Sequence, residues 1–135
     1  MLKFTEPLDA VEPDRKWRLY CYKGEEELPA MYIHRQSCFL VGKDIRVSDI
    51  HLEHESISGQ HAVIQFREYK FMDDEGYLIK EVRPYIIDLE STNGTILNGE
   101  KLEPARYYEL RSTDLLKFGY STRDYVIMEG DEVDE

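Results

Sequence analysis

Four short polar segments of the chain carry the side chains most able to bind a ligand. These segments are Gly42-Lys43, Ser58-Gly59-Gln60-His61, Thr92-Asn93-Gly94-Thr95 and Asn98-Gly99. A lysine ammonium, a serine hydroxyl and an asparagine amide are hydrogen-bond donors, and donors of this kind bind most strongly to a charged acceptor. Held together at one rim, they would suit the phosphate group of an extended phosphorylated peptide. The segments supply no nucleophile, base or metal cage, so the sequence predicts a recognition module rather than an enzyme.

Short strand-like runs separated by polar turns must position these segments. The runs cover residues 17–22, 31–33, 38–41, 62–66, 85–89, 115–118 and 125–128. Within the first run, Trp17, Leu19 and Cys21 share one face of the expected strand. We find no convincing amphipathic helix, and many short strands with polar turns predict an all-β sandwich.

The remaining segments predict turns, an arm and a tail. Residues 70–83 exceed a tight turn and predict a protruding hairpin inserted between two core strands. Asn98-Gly99 predicts a two-residue hairpin turn, because asparagine and glycine both tolerate positive φ. Residues 1–16 predict an extended N-terminal arm, either laid on the domain or awaiting a partner, and residues 129–135 predict an acidic tail. The folded domain then covers residues 17–128.

Composition restricts the function further. The 135 residues suffice for one domain with a sizeable core, and the formal net charge of −11 disfavours direct binding of RNA or DNA. The same charge means that any phosphate pocket must be local. No apolar run approaches the roughly 20 residues that span a membrane, and no secretory signal is visible. Two cysteines, Cys21 and Cys38, form no CxxC pair, which fits reduced thiols in the cytosol or nucleus.

The ordered set of motifs resembles the forkhead-associated (FHA) domain, a phosphothreonine-peptide reader built as a β-sandwich of about eleven strands with recognition loops at one end. The family pattern is a Gly-Arg at a strand end, a Ser-x-x-His, and an Asn-Gly after an acidic and Ser/Thr turn. Here these elements stand at Gly42-Lys43, Ser58–His61 and residues 88–95. The resemblance extends from about residue 17 to residue 128.

Longer stretches resemble one branch of the family, the FHA subunits of the pre-mRNA retention and splicing (RES) complex. These stretches are residues 16–20, 31–37, 84–89 and 117–119. The resemblance implies a nuclear, spliceosome-associated protein that binds an RRM-containing subunit and other spliceosomal proteins, is monomeric outside the complex and needs no cofactor. In that branch the tether to the RRM subunit lies N-terminal to the FHA domain. We therefore expect the tether to be missing or only partly present in this chain.

The resemblance also implies a role for each motif residue. It assigns phosphate binding to the loops that carry Lys43, Arg46, Ser58 and Thr92. It assigns binding of the peptide main chain to Asn93. The structural positions of the motif are Gly42, His61 and Gly94.

Alternatives to this assignment remain open. Ser58 could instead close an ordinary ST-turn, and Asn93 with its following glycine could instead form a type I′ turn. Lys43 replaces an arginine, whose planar guanidinium a lysine does not match, and Gly59 stands where a basic residue is common. These two departures favour a second hypothesis: a structural docking subunit with a weak or vestigial phosphate pocket.

Metal and catalytic sites have less support. His51 and His54 lack the third and fourth ligands of a zinc site. Residues 73–75 lack the alternating spacing of a calcium loop. A catalytic Ser58–His61 couple would lack the strained elbow and the orienting acid of a hydrolase.

Overall fold

The computed structural model describes residues 1–130, and within this range the chain forms eleven strands and no helix. The strands are β1 Trp17–Lys23, β2 Glu26–Tyr32, β3 Cys38–Gly42, β4 Ile50–His51, β5 Ala62–Met72, β6 Leu78–Asp88, β7 Thr95–Leu97, β8 Glu100–Lys101, β9 Tyr107–Glu109, β10 Leu115–Phe118 and β11 Arg123–Glu129. Accordingly, no described helix has the length and apolar character needed to cross a membrane. The predicted all-β fold is confirmed.

Two sheets pack face to face. The six-stranded sheet has the order β2-β1-β11-β10-β7-β8, and the five-stranded sheet has the order β4-β3-β5-β6-β9. Alternate residues of each strand point between the sheets, so the core is built from fully buried side chains such as Leu19, Phe66, Phe118 and Ile127. Burial of a side chain of this size stabilises the fold by about 1.5–3 kcal/mol. The sandwich is therefore a rigid support for its connecting loops.

The predicted hairpin at residues 70–83 is present, but it is not a separate insertion. Strands β5 and β6 pair without interruption from Ala62↔Asp88 to Met72↔Leu78. The Arg83 guanidinium lies 3.8 Å from the ring centroid of Tyr69 and supports the extended part of the ladder. The two core strands therefore continue to the turn at residues 73–77.

Strand boundaries follow the sequence pattern in part. The Asn98-Gly99 turn joins β7 to β8, and its φ angles of +49° and +85° confirm the predicted hairpin turn. Strand β2 begins five residues before the predicted run at residue 31, because it is an edge strand whose first residues are polar. Strands β4 and β9 were not predicted.

The N-terminal arm contacts the five-stranded sheet, with Phe4 on its outer cluster and Ala10 beside strand β5. Ala10 forms an antiparallel bridge with Arg67, and the Asp9 carbonyl accepts a hydrogen bond of 3.0 Å from the Glu68 amide. Phe4 packs on a small cluster of Leu40, Val63, Ile87 and Leu89. Of the two alternatives for the arm, contact with the domain is the one present here.

The predicted tail at residues 129–135 begins one residue too early. Glu129 is the last residue of β11 and pairs with Trp17. The Gly130 amide donates a hydrogen bond to the Lys16 carbonyl. Residues 131–135 of the predicted tail lie outside the described residues.

Candidate functional site

Three connections meet at one end of the sandwich: β3–β4, β4–β5 and β6–β7. The Lys43 amide donates to the Ser58 carbonyl (3.1 Å), and the Asp44 amide donates to the Gly59 carbonyl (3.0 Å). The Thr92 amide donates to Ser58 Oγ, also at 3.1 Å. The fold therefore brings together three of the four segments singled out in the sequence. The fourth, Asn98-Gly99, forms the β7–β8 turn.

Gly42 permits the closest approach between two of these connections. A Cβ atom at Gly42 would lie 2.1 Å from the Gly59 carbonyl oxygen. Any side chain at this position would separate the β3 end from the β4–β5 loop. This contact explains the glycine in structural terms.

His61 supports the site from below. The side chain is fully buried, its Nδ1 accepts a hydrogen bond from the Ser58 amide (3.0 Å), and its Nε2 donates to the Gly94 carbonyl (2.8 Å). Burial lowers the pKa of His61, and the Gly94 carbonyl and the Asp88 carboxylate oppose that shift. A neutral imidazole with the proton on Nε2 fits all these contacts. His61 thus joins the β4–β5 loop to the β6–β7 loop.

Asp88 determines the path of the β6–β7 connection. Its buried carboxylate accepts hydrogen bonds from the Ser91 hydroxyl (2.6 Å), the Thr95 hydroxyl (2.7 Å) and the Ser91 amide (3.0 Å). Ser91 Oγ in turn accepts from the Gly94 amide at 2.9 Å. Gly94 has a φ of +84°, and a Cβ there would lie 2.5 Å from Lys101 Cε. The acidic and Ser/Thr turn of the motif is therefore a closed hydrogen-bonded loop.

Asn93 is not part of a type I′ turn. That turn requires positive φ at both central residues, and the described non-glycine residues with positive φ do not include Asn93. Its Nδ2 donates to the Ser56 carbonyl at 2.8 Å. Asn93 therefore holds the β4–β5 loop against the β6–β7 loop.

A depression of about 350 Å³ lies between these loops. Its lining includes four of the predicted binding residues, Lys43, Ser58, Thr92 and Asn93. Because Ser58 Oγ accepts a hydrogen bond from Thr92, its own hydrogen remains able to donate. An ammonium, a hydroxyl and an amide thus surround one small open volume.

A model of the family described as the FHA domain matches residues 39–119, which is more than half of the chain. This chain belongs to the FHA family. FHA domains are interaction modules, not enzymes. The sequence-based identification of the family is therefore confirmed.

Relatives and solved structures agree with this assignment. Smad nuclear-interacting protein 1 from Mus musculus is 50% identical over 128 residues, which cover 95% of this chain and 33% of that protein. The chain thus spans about a third of the length of its first curated relatives.

A structure of the yeast Pml1 splicing factor and its integration into the RES complex matches with a TM-score of 0.78 and 31% identity, over 98% of this chain and 100% of that chain. The MEK1 FHA domain in complex with a HOP1 phosphothreonine peptide matches with a TM-score of 0.61 and 25% identity, over 90% and 100%.

Arg46 does not line the depression of this FHA domain. Its guanidinium makes two hydrogen bonds of 3.0 Å to the Asp44 carboxylate, and 83% of the side chain is exposed. The hydrogen bond from Arg46 lowers the pKa of Asp44, so the carboxylate remains charged and offsets the arginine. Of the five predicted binding residues, Arg46 is the one placed apart from the others.

Sequence reasoning missed Glu55 and Ser56, which also line the depression. Ser56 Oγ accepts a hydrogen bond from the Tyr120 amide (2.8 Å) and bonds to His54 Nδ1 (2.7 Å). Ser56 therefore ties the site to the β10–β11 loop. Its position two residues before Ser58 was the available signal. Glu55 brings a carboxylate to the rim, which opposes a bound phosphate.

His51, at the end of β4, and His54, in the β4–β5 loop, both contact the protein itself. His51 Nε2 bonds to the Lys43 carbonyl at 3.1 Å, and His54 bonds to Ser56. Across residues 1–130, no group of three or more His, Cys, Asp or Glu side chains is arranged to hold a metal ion.

Proposed function

We propose that this FHA domain binds phosphothreonine-containing segments of partner proteins at the depression between its recognition loops. The observation that carries the proposal is the placement of Lys43, Ser58, Thr92 and Asn93 around one open volume. The similarity to an FHA domain in complex with a phosphothreonine peptide supports the same ligand.

Each group has a distinct part in the proposed mechanism. The Ser58 hydroxyl and the Lys43 ammonium donate to phosphate oxygens, and phosphorylation supplies the charge that they detect. The Thr92 hydroxyl adds a neutral donor at the same rim. Asn93 fixes the peptide main chain through the polar atoms that its bond to Ser56 leaves available. Arg46 contributes to phosphate binding only if its guanidinium leaves the Asp44 carboxylate.

We further propose that the domain acts in the nucleus within a pre-mRNA retention and splicing assembly. Support comes from the similarity to the yeast Pml1 splicing factor and to the mouse Smad nuclear-interacting protein 1. Its partners there would be the RRM-containing subunit and other spliceosomal proteins, without direct contact with nucleic acid.

A titration with phosphothreonine peptides tests the binding proposal. Binding should shift the backbone amide resonances of Ser58 and Asn93, whereas the unphosphorylated peptide should not. Ser58→Ala should weaken binding about tenfold or more, because a hydrogen bond to a charged group contributes about 1.5–3 kcal/mol. Ser121→Ala is the matched control, since that serine lies in the β10–β11 turn outside the depression. Unchanged spectra at high peptide concentration would contradict the proposal.

A structural docking subunit with a weak or vestigial pocket is the second candidate. Two observations favour it: Asp44 neutralises Arg46, and Glu55 brings negative charge to the rim. In that case Ser58→Ala and Asn93→Ala leave assembly with the RRM subunit intact, and removal of the N-terminal arm releases it. Loss of assembly in the loop variants, with the arm present, would count against this candidate.

A further inference from the structure

The start of the N-terminal arm is bound to the recognition loops through Gln60. Gln60 Oε1 accepts a hydrogen bond from the Lys3 amide, and Gln60 Nε2 donates to the Met1 carbonyl, both at 2.7 Å. One side-chain amide thus pairs with the arm backbone as a neighbouring strand would. Gln60 itself lies between Ser58 and His61 in the β4–β5 loop.

The same part of the arm also contacts the β6–β7 connection. The Lys3 ammonium donates to the Leu89 carbonyl at 3.1 Å. The Phe4 ring packs against the small outer cluster, which includes Leu89 and Ile87. Residues 1–4 therefore bind two separate recognition connections at once.

These two connections carry the groups that the proposed phosphate site needs. The Leu89 amide donates to the His61 carbonyl (2.9 Å), and the Thr92 amide donates to Ser58 Oγ (3.1 Å). Ser58 is half-buried and Thr92 is exposed, and exposed loop segments open at a lower free-energy cost than the core does. The His61 and Asn93 side chains also join the two connections, and the arm adds a further link on the outer side of the same loops.

We propose that residues 1–4 and Gln60 act as a brace that positions the phosphopeptide-binding loops, with Gln60 as a positioning residue that does not touch the peptide. The inference rests on the proposed function. When the brace is released, only a fraction of the molecules holds the closed loop arrangement, and the apparent affinity falls by that fraction. A partner that takes hold of the arm would therefore change the affinity for phosphothreonine. By linkage, a bound phosphopeptide must stabilise the docked arm to the same extent.

Substitutions in the full chain test the affinity side of the coupling. Gln60→Ala removes both hydrogen bonds to the arm, and Phe4→Ala removes its anchor in the outer cluster. Each should weaken binding of a phosphothreonine peptide about three- to tenfold by calorimetric titration. Gln36→Ala is the matched control, because that side-chain amide bonds to Cys38 and Asp49 and contacts neither the arm nor the depression. The affinity of the Gln36→Ala variant for the phosphothreonine peptide should equal that of the wild type.

Hydrogen exchange tests the reciprocal effect, in which bound phosphopeptide stabilises the docked arm. A Gln60 side chain that only stabilised the fold would not produce this effect. Saturating phosphothreonine peptide should slow exchange of the Lys3 amide, and Gln60→Ala should abolish that protection. Wild-type binding that Gln60→Ala leaves unchanged, or an arm whose exchange ignores the peptide, would overturn the inference alone. A wild-type chain that binds no phosphothreonine peptide would overturn the proposed function, and this inference with it.

Discussion

Replacing His61 by alanine should destabilise the whole domain, because this one side chain joins two loops from inside the core. The change leaves the Ser58 amide without its acceptor, at a cost of about 1 kcal/mol for a partly buried donor. The cavity left by a fully buried ring adds about 2–3 kcal/mol, and loss of the edge contact with Phe118 at 5.7 Å adds about 0.5–1 kcal/mol. The Gly94 carbonyl keeps its hydrogen bond from the Gly119 amide, so loss of its contact with His61 adds little to the loss of stability.

The expected loss is thus about 4 kcal/mol of unfolding free energy, a large part of the 5–15 kcal/mol typical of a domain. Urea unfolding followed by fluorescence measures it, since Trp17 is the single tryptophan and is buried. With a slope near 2 kcal/mol/M, the midpoint should fall by about 2 M. His54→Ala, at an exposed histidine of the same loop, should cost no more than about 1 kcal/mol. A His61→Ala loss below about 1 kcal/mol, or equal to that of the control, would refute the reasoning.

The same histidine predicts a pH dependence with a definite sign. Burial lowers the pKa of His61 below its ordinary value of 6.5, so between these two values the unfolded chain binds a proton that the folded chain does not. Unfolding free energy must therefore fall as the pH drops below about 6.5. His61→Asn, which does not titrate, should lose less stability between pH 7.5 and pH 5.5 than the wild type. An identical pH response of the two proteins would contradict a neutral buried His61.

Three further substitutions test the loop geometry. Gly42→Ala should lower the unfolding free energy in urea by more than about 2 kcal/mol, because its Cβ would lie 2.1 Å from the Gly59 carbonyl oxygen. Gly59→Ala, whose Cβ has its nearest contact at 3.6 Å, should lower it by less than about 0.5 kcal/mol. Equal losses in the two variants would contradict this. Gly59→Arg should strengthen phosphothreonine-peptide binding about three- to tenfold in calorimetric titration, because it adds a charged donor at the rim. Gly59→Gln is the neutral control. Equal affinities of these two variants would oppose a phosphate at this rim. Asp88→Asn should lower the unfolding free energy in urea by about 2–3 kcal/mol, since an amide cannot accept all three hydrogen bonds from Ser91 and Thr95. An unchanged unfolding free energy would show that other contacts hold the loop.

The sequence predicted those features that depend on local pattern. Alternating apolar residues located most core strands, and the Asn98-Gly99 pair located a hairpin turn because its backbone conformation is encoded in two residues. The convergence of Lys43, Ser58 and Asn93 was also accessible, since all three lie in connections between strands and the family arrangement places those connections together. Features of this kind need no knowledge of distant partners.

Features that depend on a partner in space were not accessible. The pairing of Arg46 with Asp44 is one of several arrangements open to an exposed arginine, and no spacing rule selects it. The bond from Asn93 to the Ser56 carbonyl joins residues 37 positions apart and leaves no mark on either local pattern. Strand β9 has three half-buried residues and too short a run to show alternation.

The charge distribution around the depression determines how this domain would bind phosphate. Among the described residues that line it, Lys43 is the only cation, and Glu55 brings an opposing carboxylate to the same rim. With a chain net charge of −11 and with Arg46 offset by Asp44, long-range attraction of a phosphopeptide is weak. If phosphate binds here, we expect short-range hydrogen bonds from Lys43, Ser58 and Thr92 to matter more than long-range attraction. For the same reason a small displacement of the loop that carries Ser58 should matter more here than the loss of any single surface charge.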